Sequence, residues 1–346
     1  MVPILVAAIA ASGLSAGTRL LCYGKRGPMS GVEKHRLVTR SDFDGLVCAV
    51  LLKELDLIDE IRFVHPKDVQ DGVADIRPGD ICTNLPYNEG CHLVFDHHES
   101  ETLRLGRQRP DNHIIDASAP SASRVLYNYY GGRSAFPRVS EAMLDAVDRC
   151  DSAQFTRDEI LHPDGWVLLN YLMDARTGLG RFKDFRISNY QLMMELIDAC
   201  REYSIEQLLA LPDVKERVDL YREHAASFVA QLERCSRVEG EVVVVDLRNE
   251  DTIYAGNRFM VYAMHPECTV SVHVLWGLGR QKTVFAVGKS ILNRASEANI
   301  GELCLRYGGG GHASAGTCQL PNERAEAVQR ELVEQLSNLG VPAGVS

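Results

Sequence analysis

The sequence predicts an α/β fold in which a parallel-sheet domain with helices on both faces is followed by a helical connector and a smaller α/β domain. Three observations support this prediction. Strand-like and helix-like segments alternate over residues 35–150, the periodicity is helical throughout 158–236, and apolar strand-like runs resume at residue 242. Alternating strands and helices are typical of parallel sheets covered by helices. At 346 residues the chain has the length of two domains.

The elements of the first domain are short apolar segments bounded by turn residues. Leu46, Val47 and Val50 recur at helical spacing and indicate a helix directly after the first strand. The predicted strands are His35–Thr39, Ile61–His65, Asp80–Thr83 and His92–Phe95, and the predicted helices are Gly45–Leu55, Ser121–Tyr130 and Ser140–Arg149.

A long helix is expected to connect the two domains. Residues 214–236 carry charges on one face and apolar side chains on another, which is typical of such a connector. The second domain begins with the apolar run Val242–Val245 and ends with a helix over 323–339. Its other predicted strands are Thr269–Trp276 and Thr283–Val287. We therefore predict an N-terminal extension or disordered arm over residues 1–28, a first domain over 29–212, a linker over 213–237 and a second domain over 238–346.

Composition restricts the functional classes. The net charge is −10, which argues against binding of long duplex DNA over a broad surface. Binding of a small anionic substrate in a local basic pocket is compatible with this charge. The ten cysteines form no C-x-x-C pair and no zinc-ligand spacing. We expect them to be buried thiols of a cytoplasmic protein.

The N-terminal segment has two explanations. Residues 2–18 contain no charged side chain, so a secretory signal or an anchor must be considered. No Lys or Arg precedes them, and 17 residues are few for a membrane span. Met29 stands shortly before the first predicted strand and is an alternative start. We favour an extension over a signal, and we expect no membrane contact beyond this segment.

Acidic and histidine side chains are concentrated in three short segments. In an open α/β sheet, ligands bind beyond the carboxyl ends of the strands, so the segments that follow strands are expected to meet if their strands are neighbours. Clustered carboxylates repel one another unless a cation neutralises them, and oxygen and imidazole ligands suit Mn²⁺ or Mg²⁺, metals that activate phosphoryl groups and water. The structural alternatives are a helix N-cap for the first segment and a solvated helix end for the third. The three segments contain Asp42 and Asp44; Asp96, His97 and His98; and Asp151.

Four consecutive glycines, Gly308–Gly311, precede His312. Each costs about 1 kcal/mol in chain entropy relative to alanine, so the fold or the function must require them. Glycines let backbone N–H groups converge on an anion, and His312 would add a donor. The alternative is a helix C-terminus followed by a turn. Lys289, Arg294 and Arg306 are the nearby basic residues that could meet phosphate oxygens.

The Asp-x-Asp-Gly, Asp-His-His and Gly-Gly-Gly-His motifs occur in this order over about residues 36–320, and the set resembles the DHH family of phosphoesterases, most closely the exopolyphosphatase-related members. The resemblance implies a DHH domain, a DHH-associated substrate-binding domain and two divalent metals, usually Mn²⁺, in the cleft between them. It implies hydrolysis of phosphoanhydride or phosphodiester bonds in polyphosphate, a short oligonucleotide or another phosphorylated small molecule. A homodimer is left open.

The resemblance also implies roles for individual residues. Asp42 and Asp44 would bind different metals, Asp96 would orient or coordinate, and His98 would meet the substrate phosphate. The glycine-rich loop would hold the terminal phosphate or the product. The full predicted set is Asp42, Asp44, His97, Asp151 and Asn84 for metal; His98, Arg40 and Asp96 for catalysis; and Gly309, Gly310, Gly311, His312 and Arg294 for substrate.

Two departures from the family pattern concern the metal site. Members usually place a histidine before the Asp-x-Asp pair, where this chain has Val38 and Arg40. The bridging aspartate of the second motif corresponds to Asn84, and Asp80 lies at the other end of that strand. A neutral amide bridges two cations far less well than a carboxylate. We therefore hypothesise that one metal remains and that the Arg40 guanidinium stands in place of the other cation, while His98 or an acidic neighbour acts as general base.

The alternative function is a sensor that binds a phosphorylated metabolite with little or no turnover, which Arg40 and Asn84 favour. A dehydrogenase is disfavoured because no G-x-G-x-x-G follows the first strand. Tyr254, Phe259 and Trp276 could stack on nucleotide bases, but aromatic residues on strands are usually core.

Overall fold

The computed structural model describes residues 34–106, 108, 110–182 and 185–338. The predictions for residues 1–28 and for a start at Met29 lie outside these residues. The described chain contains a five-stranded sheet and a six-stranded sheet, each packed with helices, which confirms the predicted α/β fold class. We call residues 34–235 the N-terminal region and residues 236–338 the C-terminal region. Among the described residues, no helix combines the length and the apolarity that crossing a bilayer requires.

The N-terminal region is built on a sheet of parallel strands. Alternate residues of a strand face opposite sides of the sheet, so Leu37 and Phe95 enter one hydrophobic core, whereas Val38 and Val94 enter another together with Val69. Helices therefore lie on both faces. The strands are β1 (His35–Thr39), β2 (Ile58–Phe63), β3 (Ile81–Thr83), β4 (Leu93–Asp96) and β5 (His113–Ile115), and their order in the sheet is β2-β1-β3-β4-β5.

The first helix begins immediately beyond β1. Asp42 caps it by accepting the N–H of Gly45 at 3.0 Å, so the helix starts at Phe43, two residues before the predicted start. A Cβ on Gly45 would lie 2.0 Å from the carbonyl oxygen of Arg40, which shows how tightly the chain turns here. The helices up to residue 151 are α1 (Phe43–Glu54), α2 (Pro66–Gln70), α3 (Glu99–Leu105), α4 (Ala122–Tyr129) and α5 (Glu141–Asp151).

The segment predicted to be helical throughout is divided into five helices. Two 3-10 turns, Ala175–Thr177 and Leu179–Arg181, interrupt it, and Gly178 between them has a φ of +87°. The helices are α6 (Arg157–Leu161), α7 (Gly165–Met173), α8 (Asn189–Ala199), α9 (Ile205–Ala210) and the long α10 (Pro212–Cys235). The predicted domain boundaries stay a prediction.

The C-terminal region contains a mixed sheet. Strands β7 and β8 pair parallel and the other neighbours pair antiparallel. The order is β10-β11-β9-β8-β7-β6. The elements are β6 (Ser236–Glu239), β7 (Val242–Asp246), α11 (Met260–Met264), β8 (Val270–Trp276), β9 (Lys282–Lys289), α12 (Ile300–Arg306), β10 (Gly310–His312), β11 (Ala315–Pro321) and α13 (Asn322–Asn338).

The glycine run is explained largely by backbone packing. Gly308, with a φ of +76°, follows the end of α12. A Cβ on Gly309 would lie 2.1 Å from the carbonyl oxygen of Thr317, and a Cβ on Gly311 would lie 2.2 Å from that of Ala315. The helix-stop alternative therefore accounts for Gly308, and the close approach of β11 accounts for Gly309 and Gly311.

This packing predicts different effects for two neighbouring glycines. Gly309→Ala should lower the free energy of unfolding by about 1–3 kcal/mol, because the new methyl group meets backbone that cannot move aside. Gly310→Ala is the matched control, since a Cβ there has nothing within 4 Å and should change stability by about 0.5 kcal/mol or less. Urea denaturation measures both, and equal effects would contradict the packing argument.

Candidate active site

Asp44 is buried at the junction of two helices. It lies in the first turn of α1, and its two carboxylate oxygens accept the N–H groups of Ala122 at 2.9 Å and Ser123 at 2.8 Å, at the start of α4. The side chain is thereby fixed at the carboxyl end of the sheet. Burial raises the pKa of Asp44 well above its usual range, and the nearby charge of Asp151 raises it further. Its ionised form needs a positive neighbour.

His97 faces Asp151 in an arrangement that requires a positive charge. The Nδ1 of His97 lies 3.3 Å from the carbonyl oxygen of Ala119, and with Nδ1–H donating there Nε2 is the atom that can bind a proton or a cation. Nε2 lies 3.0 Å from Oδ2 of Asp151, and it is buried without a hydrogen bond of acceptable geometry among the described residues. Burial lowers the pKa of His97, but Asp151 and Asp44 outweigh it and raise the pKa to about 9. A proton or a cation must separate the two atoms.

Asp44, His97 and Asp151 together form a group of metal-ligating type. One ligand atom from each lies within 4.8 Å of the other two, so one cation could contact all three. Carboxylate oxygen and imidazole nitrogen suit Mn²⁺ or Mg²⁺ better than thiolate-binding metals. The orphaned Nε2 and the buried carboxylate are what such a cation would satisfy, so these residues fit a divalent metal.

Asp42, in contrast, is satisfied by the protein itself. Its Oδ2 lies 2.9 Å from Nε of Arg40, and its Oδ1 accepts Nδ2 of Asn84 and the N–H of Gly45, each at 3.0 Å. Burial raises the pKa of Asp42, and Arg40 opposes that effect. The two departures from the family pattern therefore act on the same carboxylate. The predicted metal-binding roles of Asp42 and Asn84 stay a prediction.

Strand order explains how Asn84 reaches Asp42. β3 lies between β1 and β4, so the condition that the two acidic segments follow neighbouring strands is not met, and the residue after β3 stands between the segments. Asn84 is buried with a φ of +54°, a backbone conformation that asparagine tolerates better than most residues. An aspartate at this position could not donate to Asp42.

His98 and His312 bring the two regions of the chain together. Nδ1 of His98 lies 2.7 Å from Oδ1 of the buried Asp96, and the ring centroids of His98 and His312 are 6.4 Å apart. Burial lowers the pKa of His98, but Asp96 outweighs it, so the net shift is upward. Burial and the charges of His98 and Arg40 lower the pKa of His312.

One cleft of about 1170 Å³ is lined by Arg40, Asp42, Asp44, His97, His98, Asp151 and His312. Of the residues predicted for substrate binding, His312 lies in its wall, whereas Gly309–Gly311 and Arg294 are not part of the lining. Arg294 instead donates to the carbonyl oxygens of Ile291 and Ala153, each at 3.1 Å. Its predicted contact with substrate stays a prediction. The cleft also contains basic residues that no sequence motif indicated, namely Arg62, His65, Arg176 and Arg258.

Comparison with solved structures identifies the family. A pGpG-specific phosphodiesterase, PggH from Vibrio cholerae, shares 58% sequence identity with this chain at a TM-score of 0.79, and the alignment covers 89% of this chain and all of that chain. The chain belongs to the DHH family of phosphoesterases. The resemblance drawn from the three motifs is confirmed, and so is the prediction of a hydrolase, since the neighbour is a phosphodiesterase.

More distant solved structures also match. CDC45 from Entamoeba histolytica shares 9% identity at a TM-score of 0.47 and covers 88% of this chain and 95% of that one. RecJ from Thermus thermophilus, in complex with Mn²⁺, shares 14% identity at a TM-score of 0.45 and covers 90% of this chain and 53% of that one. Comparison with protein-family models and with curated protein sequences finds no match.

The cluster predicts that metal stabilises the folded protein through Asp151. Mn²⁺ at about 100 times its Kd should add about 2.7 kcal/mol to the free energy of unfolding, because the ion binds the folded state. Asp151→Asn should lose most of this gain. Asp145→Asn, on the same helix but exposed and paired with Arg124, should keep it. Thermal unfolding with and without Mn²⁺ measures the effect, and an undiminished shift in Asp151→Asn would contradict the assignment.

Proposed function

We propose that this protein is a divalent-metal-dependent phosphodiesterase that hydrolyses a 5′-phosphorylated dinucleotide of the pGpG type. The observation that carries the proposal is the Asp44–His97–Asp151 group in the cleft of a chain that is 58% identical to a pGpG-specific phosphodiesterase over that protein's whole length. The cleft, at about 1170 Å³, exceeds the range of about 300–1,000 Å³ usual for small-molecule sites, which suits a dinucleotide.

The comparison favours one of the substrates that the sequence left open. Polyphosphate and a short oligonucleotide both fit an acidic chain that grips a short anion locally, and the neighbour's substrate is the oligonucleotide. An exopolyphosphatase-like specificity is therefore the weaker choice. The cytoplasmic location and the homodimer stay predictions.

Asp44, His97 and Asp151 would hold the metal. Mn²⁺ or Mg²⁺ bound there would supply positive charge beside the phosphoryl oxygens and lower the pKa of a water molecule. The protein's contribution is to fix the two carboxylates and to hold His97 in the tautomer whose Nε2 can bind a cation.

Arg40 and His98 would act on the phosphate. Arg40 uses Nε on Asp42, and its side chain, about 38% exposed, lines the cleft, so its terminal nitrogens can meet non-bridging oxygens. His98, held by Asp96 through Nδ1, presents Nε2 to the substrate. Asp96 raises the pKa of His98 and so favours the protonated imidazole, which can donate to a phosphoryl oxygen.

The reaction divides the dinucleotide into two mononucleotides. The oxygen of water bonds to phosphorus and the water gives up one proton to solvent, while the bond from phosphorus to the 3′ oxygen breaks and the leaving oxygen takes up a proton. We assign His98 to give that proton, as a general acid and not as the general base that the sequence suggested, because Asp96 both orients the ring and raises its pKa.

A sensor without turnover is the second candidate function. It is favoured because Arg40 and Asn84 already contact the two carboxylate oxygens of Asp42, so this carboxylate is less available to bind a metal cation. A screen with Mn²⁺ against pGpG, other short oligonucleotides, cyclic dinucleotides, pyrophosphate and polyphosphate separates the two functions. Binding without hydrolysis would favour the sensor.

The enzyme proposal predicts a loss of activity on removal of either buried carboxylate. Asp44→Asn and Asp151→Asn should each lower kcat/KM for pGpG by at least about 100-fold, since each removes a predicted metal ligand. Asp145→Asn should retain wild-type activity. Chromatography of the products measures turnover, and unchanged rates in both site variants would assign the activity to a contaminant.

Because the side chains around Asp42 already occupy its carboxylate oxygens, we predict one tightly bound metal ion per chain. Arg40 and Asn84 already neutralise this carboxylate, so after dialysis against metal-free buffer elemental analysis should count about one ion. The double variant Arg40→His, Asn84→Asp restores the family's ligand types and should bring the count towards two. Two tightly bound ions in the wild-type protein would overturn the single-metal hypothesis.

A further inference from the structure

A pair of arginines forms a second cationic group in the cleft. Arg176 binds Asp174 with its backbone N–H at 2.9 Å and with Nε at 2.7 Å, both to Oδ1. Arg258 approaches the same carboxylate from another segment, with Nε 3.5 Å from Oδ2. All three residues line the cleft. Two guanidinium groups share one carboxylate, so this group keeps one net positive charge. We call it the Arg176/Arg258 pair.

Arg258 is held in place by a ring contact and by its ion pair with Asp174. The guanidinium stacks on the ring of Phe259 at 4.1 Å from the ring centroid. Among the residues that the structure describes, no acceptor forms a hydrogen bond of good geometry with it, and Nε is buried. Burial and the charge of Arg176 lower the pKa of Arg258 to about 10, although it stays protonated at neutral pH. The side chain as a whole is 36% exposed, so its terminal nitrogens can reach an anionic ligand in the cleft.

The segment that carries Arg258 is fastened to the N-terminal region. The N–H of Gly256 donates to the carbonyl oxygen of Thr177 at 2.9 Å, and Nδ2 of Asn257 donates to that of Ile160 at 3.0 Å. A Cβ on Gly256 would lie 2.2 Å from the ring of Phe228, so the backbone passes close to α10. The two arginines therefore come from distant parts of the sequence but occupy fixed relative positions.

The pair lies beside the acidic cluster without belonging to it. Arg176 is close enough to Asp42 to lower the pKa of that carboxyl group. No hydrogen bond or ion pair within the described ranges joins either arginine to Asp44, His97 or Asp151. The two groups lie in one cleft without sharing a partner, so one substrate with two phosphates could occupy both.

We propose that Arg176 and Arg258 bind the terminal 5′-phosphomonoester of the dinucleotide. This inference rests on the proposed function. A pGpG-type substrate carries two phosphates, the diester that is cleaved and the terminal monoester. The monoester is close to a dianion at neutral pH and matches the planar donor forks of two arginines. The pair would make the enzyme selective for dinucleotides with a 5′-phosphate.

The test compares pGpG with GpG, which lacks only the terminal phosphate. The wild-type protein with Mn²⁺ should show a kcat/KM for pGpG at least about tenfold higher than for GpG, since each charge-assisted contact contributes on this order. Arg258→Gln and Arg176→Gln should remove this preference by lowering the pGpG value while leaving the GpG value nearly unchanged. Arg237→Gln, an exposed arginine on β6 paired with Glu239, is the control and should keep the preference.

The remaining outcomes decide between the inference and the proposed function. Equal cleavage of pGpG and GpG by the wild-type protein would support the proposed function and overturn the inference. Equal losses on both substrates in the variants would mean that the pair contacts the scissile diester or guanine, and would also overturn it. If Arg258→Gln does not fold, Arg176→Gln decides, because the Arg176 side chain is 56% exposed. Failure of the wild-type protein to cleave either substrate would refute the proposed function and the inference with it.

Discussion

Negative charge concentrated at one end of a parallel sheet is the constraint on which the site depends. Asp42, Asp44 and Asp96 lie at or just beyond strand ends, and Asp151 ends α5 beside them. Burial raises the pKa of Asp42 and of Asp44, because ionised carboxylates lose hydration there. The arrangement is stable at neutral pH only if donors or cations offset the charge. The donors and basic side chains around the site can therefore be grouped by the carboxylate that each one contacts.

The protein neutralises some of these carboxylates itself and leaves others to a ligand. Arg40 and Asn84 both serve Asp42, so the two departures from the family pattern are one compensated change and not two separate losses. Asp44 and Asp151 have no basic side chain comparable to Arg40 among the described residues that line the cleft; they share His97. This asymmetry favours one metal over two.

The alternation of strand-like and helix-like segments predicted the fold class, and the motifs in their order predicted the family. The meeting of Asp44 with His97 was expected only if their strands were neighbours, and the two residues meet although β3 lies between β1 and β4. The sequence could not predict the Asn84–Asp42 bond, because that bond depends on β3 lying between β1 and β4. Nor could it predict the Arg176/Arg258 pair, whose members are separated by more than eighty residues and follow no local pattern. The glycine run was interpreted through its chemistry, whereas the close approach of β11 accounts for two of its four residues, Gly309 and Gly311. Pairing between residues distant in the sequence, which has no local signal, is the cause of the first two omissions.

Anomalous diffraction from crystals grown with Mn²⁺ tests the central claim most directly. The account predicts one strong peak in contact with a carboxylate oxygen of Asp44, with Nε2 of His97 and with a carboxylate oxygen of Asp151. Arg40 and Asn84 should still bind Asp42 in the same crystals. A peak bridging Asp42 and Asn84, or no peak beside His97, would contradict it.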